Sequence, residues 1–272
     1  MTYVAGLLAV IAAPDEVAKA GLLATLAPPA AEESWPPPTL PARPGRPADW
    51  IEGEAPRRRR SMANPVERCR FLHTIFQIEL SAVDLACALC LRGGGAPTAL
   101  HVDFLRVAAE ECQHAALLRT LLEADGYPPG TDPVHYKLWE AGLACADLGE
   151  QLVVIPRFLE ARGLDVNAAL LPRMAPIHAA SHQVLARIYQ DEIGHVGIGT
   201  RWHQWWCQRA GLDPVAHFSD VVERHFGHSL PSPFALDRPG RIAAGFVADE
   251  LAMLERPRPR PLRDGQALHA HQ

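Results

Sequence analysis

The sequence lacks several features that would assign it to common classes of protein. No apolar run reaches the roughly 18 to 20 residues of a membrane-spanning helix, and no alternation of apolar and polar residues indicates a β-sheet. Nothing in the chain resembles a flavin or nicotinamide site. The formal net charge of −5 is mild and gives no general argument for nucleic-acid binding. These absences favour a soluble, all-α protein that does not span a membrane.

A disulfide framework is also absent, although the chain has six cysteines. They are scattered, and most lie inside helical patterns, unlike the cysteines of small secreted domains. Cys87-x-x-Cys90 stands in the middle of a predicted helix with no second pair. We interpret these two residues as small buried apolar side chains rather than as a redox or metal-binding pair.

Basic residues are missing before the first apolar run, which covers residues 3–13. A secretory signal peptide would have positive charge there. After Pro14, the acidic residues Asp15 and Glu16 begin what reads as a capped helix instead. We therefore expect a cytoplasmic protein.

Helical patterns dominate what is present. One or two short helices are predicted over residues 4–26, and the proline-rich residues 28–47 should run extended as a strap over the domain. Four long helices are predicted at about 64–92, 98–125, 136–161 and 177–210, with a short one near 242–254. The expected organisation is N-terminal helices and strap (1–60), a helical bundle (61–254) and a disordered tail (255–272).

Two Glu-x-x-His units carry the chemistry, Glu111 with His114 and Glu192 with His195. Residues i and i+3 of a helix share one face, so each unit directs a carboxylate and an imidazole the same way. A helical glutamate, Glu79, precedes Glu111 by 32 residues. Thirteen residues separate Glu79 from the end of its helix and 13 separate the start of the next helix from Glu111, which predicts that the two carboxylates are level in an antiparallel hairpin.

The second unit has a matching glutamate, Glu160, also 32 residues upstream of Glu192. One glutamate from each of two helices and one Glu-x-x-His from each of two others form the ligand set of a dinuclear metal site in a four-helix bundle. The predicted ligands are Glu79, Glu111, His114, Glu160, Glu192 and His195. Glu150 competes with Glu160 for the third-helix position, and the sequence leaves open whether that helix continues past Gly163.

Several neighbouring residues are candidates for supporting roles. Glu110 and Asp191 directly precede the motif glutamates and are predicted to be surface acids. Ligating histidines usually donate their other N–H to a carboxylate, and the candidates for that role are Asp84, Asp103 and Asp147. His182 is a candidate for lining the cavity and Tyr189 for a hydrogen-bonding neighbour.

At these residues the chain resembles the ferritin-like superfamily of diiron-carboxylate proteins. More narrowly, it is similar to the bacterial domain-of-unknown-function family 455. The matching stretches include residues 78–86 (IELSAVDLA), 110–114 (EECQH), 138–140 (LWE), 156–166 (PRFLEARGLDV), 191–196 (DEIGHV) and 211–214 (GLDP). The resemblance implies a ferritin-like four-helix bundle with additional N- and C-terminal helices. Gln77 departs from the family pattern, which often has histidine there.

The family has no agreed reaction, and the leading hypothesis from the ligand set is a dinuclear oxidoreductase that holds two iron ions, with manganese or a mixed iron–manganese pair as the alternative. Such a centre would activate dioxygen to hydroxylate or oxidise an organic small molecule, and an external donor would supply electrons. Two other functions stay open. One is ferroxidase or metal handling. The other is tRNA modification, by analogy with the related bacterial tRNA hydroxylases, and within this sequence only the basic run Arg57 to Arg60 supports it. Substrate and oligomeric state are not predicted.

Overall fold

The computed structural model describes residues 2–30, 33–54, 61–227 and 234–256. Within these residues the secondary structure is helical, and the nearest approach to a sheet is an isolated bridge between Glu52 and Val134. The all-α prediction is confirmed. Arg57 to Arg60 and residues 257–272 lie outside the described residues, so the basic run and most of the predicted tail are not tested.

Three of the four long helices lie where the sequence predicts them: α3 (Pro65–Arg92), α4 (Thr98–Ala124) and α8 (Ala179–Ala210). The Asn64 side chain caps α3 by accepting a hydrogen bond from the Glu67 amide, with proline at the first helical position. Residues 93–97 then turn the chain, and α4 packs along α3. This hairpin supplies most of the framework on which the site is built.

The predicted third helix is wrong in its detail. Residues 137–174 form α5 (Lys137–Leu143), α6 (Leu148–Leu152), a π-helical segment (Val153–Glu160) and α7 (Ala161–Met174). Pro156 lies within the π-helical segment and, having no backbone N–H, cannot continue regular α-helical hydrogen bonding. The chain stays helical beyond it, so α7 runs past Gly163.

The N-terminal region packs against α3. It contains α1 (Tyr3–Ala12), α2 (Glu16–Leu23) and a strap without helix over the described part of residues 28–47, as predicted. Asp84 of α3 holds both parts: its carboxylate oxygens lie 2.7 Å from Lys19 Nζ and 2.8 Å from Arg46 Nη1. Lys19 and Asp84 are fully buried, so each charge depends on the other for compensation.

The C-terminal region contains more helix than predicted. In place of one helix near 242–254, the structure has α9 (Pro214–Phe226), α10 (Arg238–Ala243) and α11 (Ala248–Glu255). Two buried ion pairs connect α11 and α10 to the π-helical segment and to α7. Arg157 lies 2.7 Å from Glu250, and Arg241 lies 2.8 Å from Asp165. These ion pairs therefore hold α10 and α11 against α7 and the π-helical segment.

The core excludes water from α3 along most of its length. By length and composition α3 could cross a bilayer, but 78% of its most apolar window is buried inside the protein, as in the core helix of a soluble protein. All six cysteines are free and buried. The interpretation of Cys87 and Cys90 as buried packing residues is therefore consistent with the structure.

Candidate metal centre

The α3–α4 hairpin brings Glu79, Glu111 and His114 together in the core. His114 Nδ1 lies 3.2 Å from Glu79 Oε2 and 3.3 Å from Glu111 Oε2. All three side chains are buried, and none exposes more than 4% of its surface. The level arrangement predicted from the equal helix lengths is confirmed.

Helix α8 adds Glu192 and His195 from the opposite side. His195 Nδ1 lies 2.8 Å from Glu111 Oε1 and 3.8 Å from Glu192 Oε1. Glu79, Glu111, His114 and Glu192 each offer a ligand atom, and these four atoms lie within 4.8 Å of one another. The Glu111 carboxylate thus stands between the two imidazoles and approaches both Nδ1 atoms.

Glu160 completes the group from the last position of the π-helical segment. It is half-buried and lines the same pocket as Glu79 and Glu192. Burial raises the pKa of Glu160 well above its ordinary value, and the neighbouring Glu192 and Glu111 carboxylates add to that shift. Glu150, its competitor in the sequence, instead accepts hydrogen bonds from Arg224, His225 and the Ala146 amide.

Four buried polar atoms of this group have no hydrogen-bond partner: Glu111 Oε1, Glu160 Oε2, Glu192 Oε2 and His195 Nδ1. Glu111 Oε1 and His195 Nδ1 are only 2.8 Å apart, yet they are not aligned for a hydrogen bond. Buried polar groups are normally paired because leaving them unpaired costs about 1–3 kcal/mol each. Three carboxylate oxygens and one imidazole nitrogen in one place are the donor set that a divalent cation accepts, once the imidazole has released its proton.

Electrostatics point the same way. Burial raises the pKa of Glu79 and of Glu192, with the Glu111 charge as the next cause in both. Burial opposes ionisation of His114 too, but its contacts with Glu111 and Glu79 outweigh burial and raise its pKa to about 11. The four carboxylates therefore compete for two imidazolium charges. A pair of divalent cations would supply the missing positive charge and reverse these shifts.

The outer imidazole nitrogens bind acids that the sequence analysis assigned to the surface. His195 Nε2 lies 2.7 Å from Glu110 Oε2, and His114 Nε2 lies 3.2 Å from Asp191 Oδ2. Each acid belongs to the opposite motif, so the two motifs cross-support one another. Both acids are partly exposed and point off their own ligand face, as predicted, but the sequence analysis missed their contacts with the histidines because it considered each helix alone. The signal was present as an acid directly before the glutamate in both motifs.

None of the predicted supporting acids serves the histidines. Asp84 binds the two cations described above, Asp103 accepts from Trp202 Nε1 at 2.8 Å, and Asp147 caps α6. The Tyr189 hydroxyl donates to Asp237 at 2.6 Å rather than to a site residue. His182 is half-buried in the first turn of α8 and is not among the pocket-lining residues. The structure thus gives the three acids other partners, because a general preference of ligating histidines for carboxylates does not say which carboxylate lies near them.

Two other groups of metal-binding residue types occur among the described residues, and they differ from the first. Cys145, Glu150 and His225 form one, and His203, Cys207 and His217 form the other. In both, an arginine occupies a key acceptor: Arg224 contacts Glu150, and Arg157 Nη1 lies 2.9 Å from His203 Nδ1. Neither group contains an unpartnered buried side-chain nitrogen or oxygen. Of the three groups found among the described residues, the glutamate–histidine group is the one that contains buried side-chain atoms without a hydrogen-bond partner.

A pocket of about 270 Å³ adjoins the site. The carboxylates of Glu79, Glu160 and Glu192 contribute to its wall. The remainder is mainly aliphatic, with Arg162 and Asn167 as the other polar side chains; the aliphatic members are Ile75, Ile78, Ala82, Leu138, Leu159, Val166 and Ile188. An apolar cavity with a few convergent polar groups is the usual form of a small-molecule site.

A family profile described as "Protein of unknown function (DUF455)" matches residues 10–252. The chain belongs to this family. The DUF455 match includes every residue of the glutamate–histidine group and all helices from α3 to α10.

The chain is also similar to an uncharacterized protein of Haemophilus influenzae. It is 34% identical over 202 residues, which cover 71% of this chain and 69% of that protein. No solved structure matches the DUF455 chain significantly.

Proposed function

We propose that this protein is a ferritin-like dinuclear metal oxidoreductase. The main support is that four carboxylates and two imidazole Nδ1 atoms come together from α3, α4, the π-helical segment and α8. Four of these ligand atoms are buried and have no hydrogen-bond partner. This is the combination of one glutamate from each of two helices and one Glu-x-x-His from each of two others that ferritin-like bundles use. The residues therefore fit a pair of divalent ions.

Two ferrous ions held by this set would activate dioxygen, so that one oxygen atom enters a C–H bond of an organic substrate, the other leaves as water, and an external donor provides two electrons. The protein's own residues supply the environment. The six predicted ligands would hold the ions, while Glu110 and Asp191 would fix the orientation of His195 and His114. The apolar wall keeps bulk water away from the reacting region. Manganese, or an iron–manganese pair, suits the same donor set.

The pocket favours oxidation of an organic molecule over handling of iron itself. Iron as cargo needs polar groups along its path, whereas the cavity beside the carboxylates is mostly aliphatic. Modification of tRNA rests on Arg57 to Arg60, which the structure does not describe, so no observation favours it.

Elemental analysis of protein purified without chelators tests the site. We expect about two equivalents of iron or manganese per chain. Glu111→Ala should lower the metal content, and Glu123→Ala, on the exposed end of the same helix, should leave it unchanged. Metal near zero in the wild-type protein, or equal metal in both variants, would refute the assignment.

Oxygen consumption by the reduced, iron-loaded protein should then depend on an added organic substrate, whereas ferroxidase activity would not.

A further inference from the structure

The pocket beside the metal centre has polar lining residues that the metal centre does not explain. Besides the three carboxylates it contains a cation, Arg162, and an amide, Asn167, on α7. We propose that this pocket binds a small aliphatic monocarboxylate, and that Arg162 and Asn167 bind its carboxylate group. The inference rests on the proposed function in that this acid would be the organic substrate.

Arg162 is available to a ligand. It is half-buried, and among the described residues its only recorded interaction places its guanidinium carbon 5.8 Å from the centre of the Phe158 ring. The other arginines around the site are already neutralised: Arg157 pairs with Glu250 and Arg241 with Asp165. A guanidinium presents a planar fork of N–H donors that matches a carboxylate. The three carboxylates of the pocket belong to the proposed metal centre, and Arg162 is the lining cation, so Arg162 is the group expected to favour an acid over a neutral molecule of the same size.

Asn167 supplies a second, independent observation. Only 5% of its surface is exposed, and its Oδ1 has no hydrogen-bond partner. A buried amide oxygen without a partner is unusual in a folded protein. Asn167 is one of the pocket-lining residues, and its terminal amide carries N–H groups that can donate to a ligand. We expect a ligand carboxylate to accept hydrogen bonds from this amide and from Arg162.

The rest of the pocket limits the ligand's size and character. Its volume of about 270 Å³ is at the lower end for small-molecule sites, and its wall is largely isoleucine, leucine and valine. Gly163 of α7 lines it, and a Cβ added at this residue would meet no atom within 4 Å. A longer side chain at Gly163 would therefore extend into the space a ligand occupies.

Titration calorimetry with octanoate on the full-length protein tests the proposal, with octanol as the neutral probe of equal length. We expect octanoate to bind more tightly than octanol. Arg162→Gln should weaken octanoate binding by about 10- to 100-fold, the value of a hydrogen bond to a charged group, and leave octanol binding unchanged. Arg173→Gln, which is exposed on the same helix, should change neither. No octanoate binding to the wild-type protein, or equal binding by Arg162→Gln, would overturn the proposal.

A steric variant gives a second readout. Gly163→Phe should abolish binding of both probes, while Gly21→Phe, at another helical glycine with open space, should leave both unchanged. Equal octanoate binding by Gly163→Phe would also overturn the proposal. Thermal unfolding of each variant shows that it is folded. Metal content measured on the same samples distinguishes the pocket proposal from the proposed metal centre. Bound metal without octanoate binding refutes only the pocket proposal. Octanoate binding that depends on Arg162, in protein that holds no metal, refutes only the metal centre.

Discussion

Removing the Glu110 side chain should weaken metal binding although Glu110 is not a predicted ligand. Its Oε2 lies 2.7 Å from Nε2 of His195, and this contact leaves the opposite nitrogen, Nδ1, facing Glu111 and Glu192. Without the acid, the imidazole loses both its fixed orientation and the basicity that the carboxylate gives it. Acids in this position usually change metal affinity by about 10- to 100-fold when removed, which corresponds to about 1.4–2.7 kcal/mol.

The folded state itself should be little affected by Glu110→Ala. About a third of the Glu110 side chain, 32%, is exposed, and partly exposed ion pairs usually contribute no more than about 1 kcal/mol to stability. Manganese affinity measured by calorimetry on chelator-treated protein should therefore fall while thermal unfolding of the metal-free protein stays nearly the same. Glu123→Ala is the control, because Glu123 lies on α4 but outside the site.

A double-mutant cycle decides whether Glu110 acts through His195. On a His195→Ala background, Glu110→Ala should cause no further loss of affinity, since the group that it orients is gone. Additive losses would refute the orienting role. Unchanged manganese affinity in the single variant Glu110→Ala would refute the whole argument about cross-support between the motifs.

Two further predictions concern the framework that holds the site. Asp84→Ala should lower the free energy of unfolding, measured by denaturant titration, by about 3–5 kcal/mol, because it leaves two buried cations without their carboxylate. The control is Glu52→Ala, which removes one member of an exposed ion pair and should cost no more than about 1 kcal/mol. Similar losses in the two variants would contradict the buried role of Asp84. Gly199→Ala should cost at least about 1–3 kcal/mol, because the new Cβ would lie 2.4 Å from the side chain of Pro156. In Gly21→Ala the new Cβ meets no atom within 4 Å, so this variant should stabilise its helix by up to about 1 kcal/mol. If thermal unfolding showed Gly199→Ala to be the more stable of the two variants, the close approach of Gly199 to Pro156 would be refuted.

Sequence reasoning performed best where the signal is local and repeats with the helical period. The bounds of α3 follow from Asn64 and Pro65 at one end and a glycine run at the other, which are capping effects within a few residues. The level placement of Glu79 and Glu111 follows from the constant rise of two antiparallel helices. Sequence reasoning did less well in residues 137–174, because a proline accommodated in a π-helical segment depends on the close packing of Gly199 against Pro156, which no local pattern reveals.

The sequence by itself therefore determined an all-α chain and the residues that form the glutamate–histidine group, because helical periodicity and chain length set which side chains share a face and a height. Only the tertiary structure decided the partners of those residues. It directed Glu110 and Asp191 to the histidines of the opposite motif, assigned Asp84 to Lys19 and Arg46, and gave the site a neighbouring aliphatic pocket. These are contacts between helices distant in sequence, and their direction depends on how the helices rotate and pack against one another.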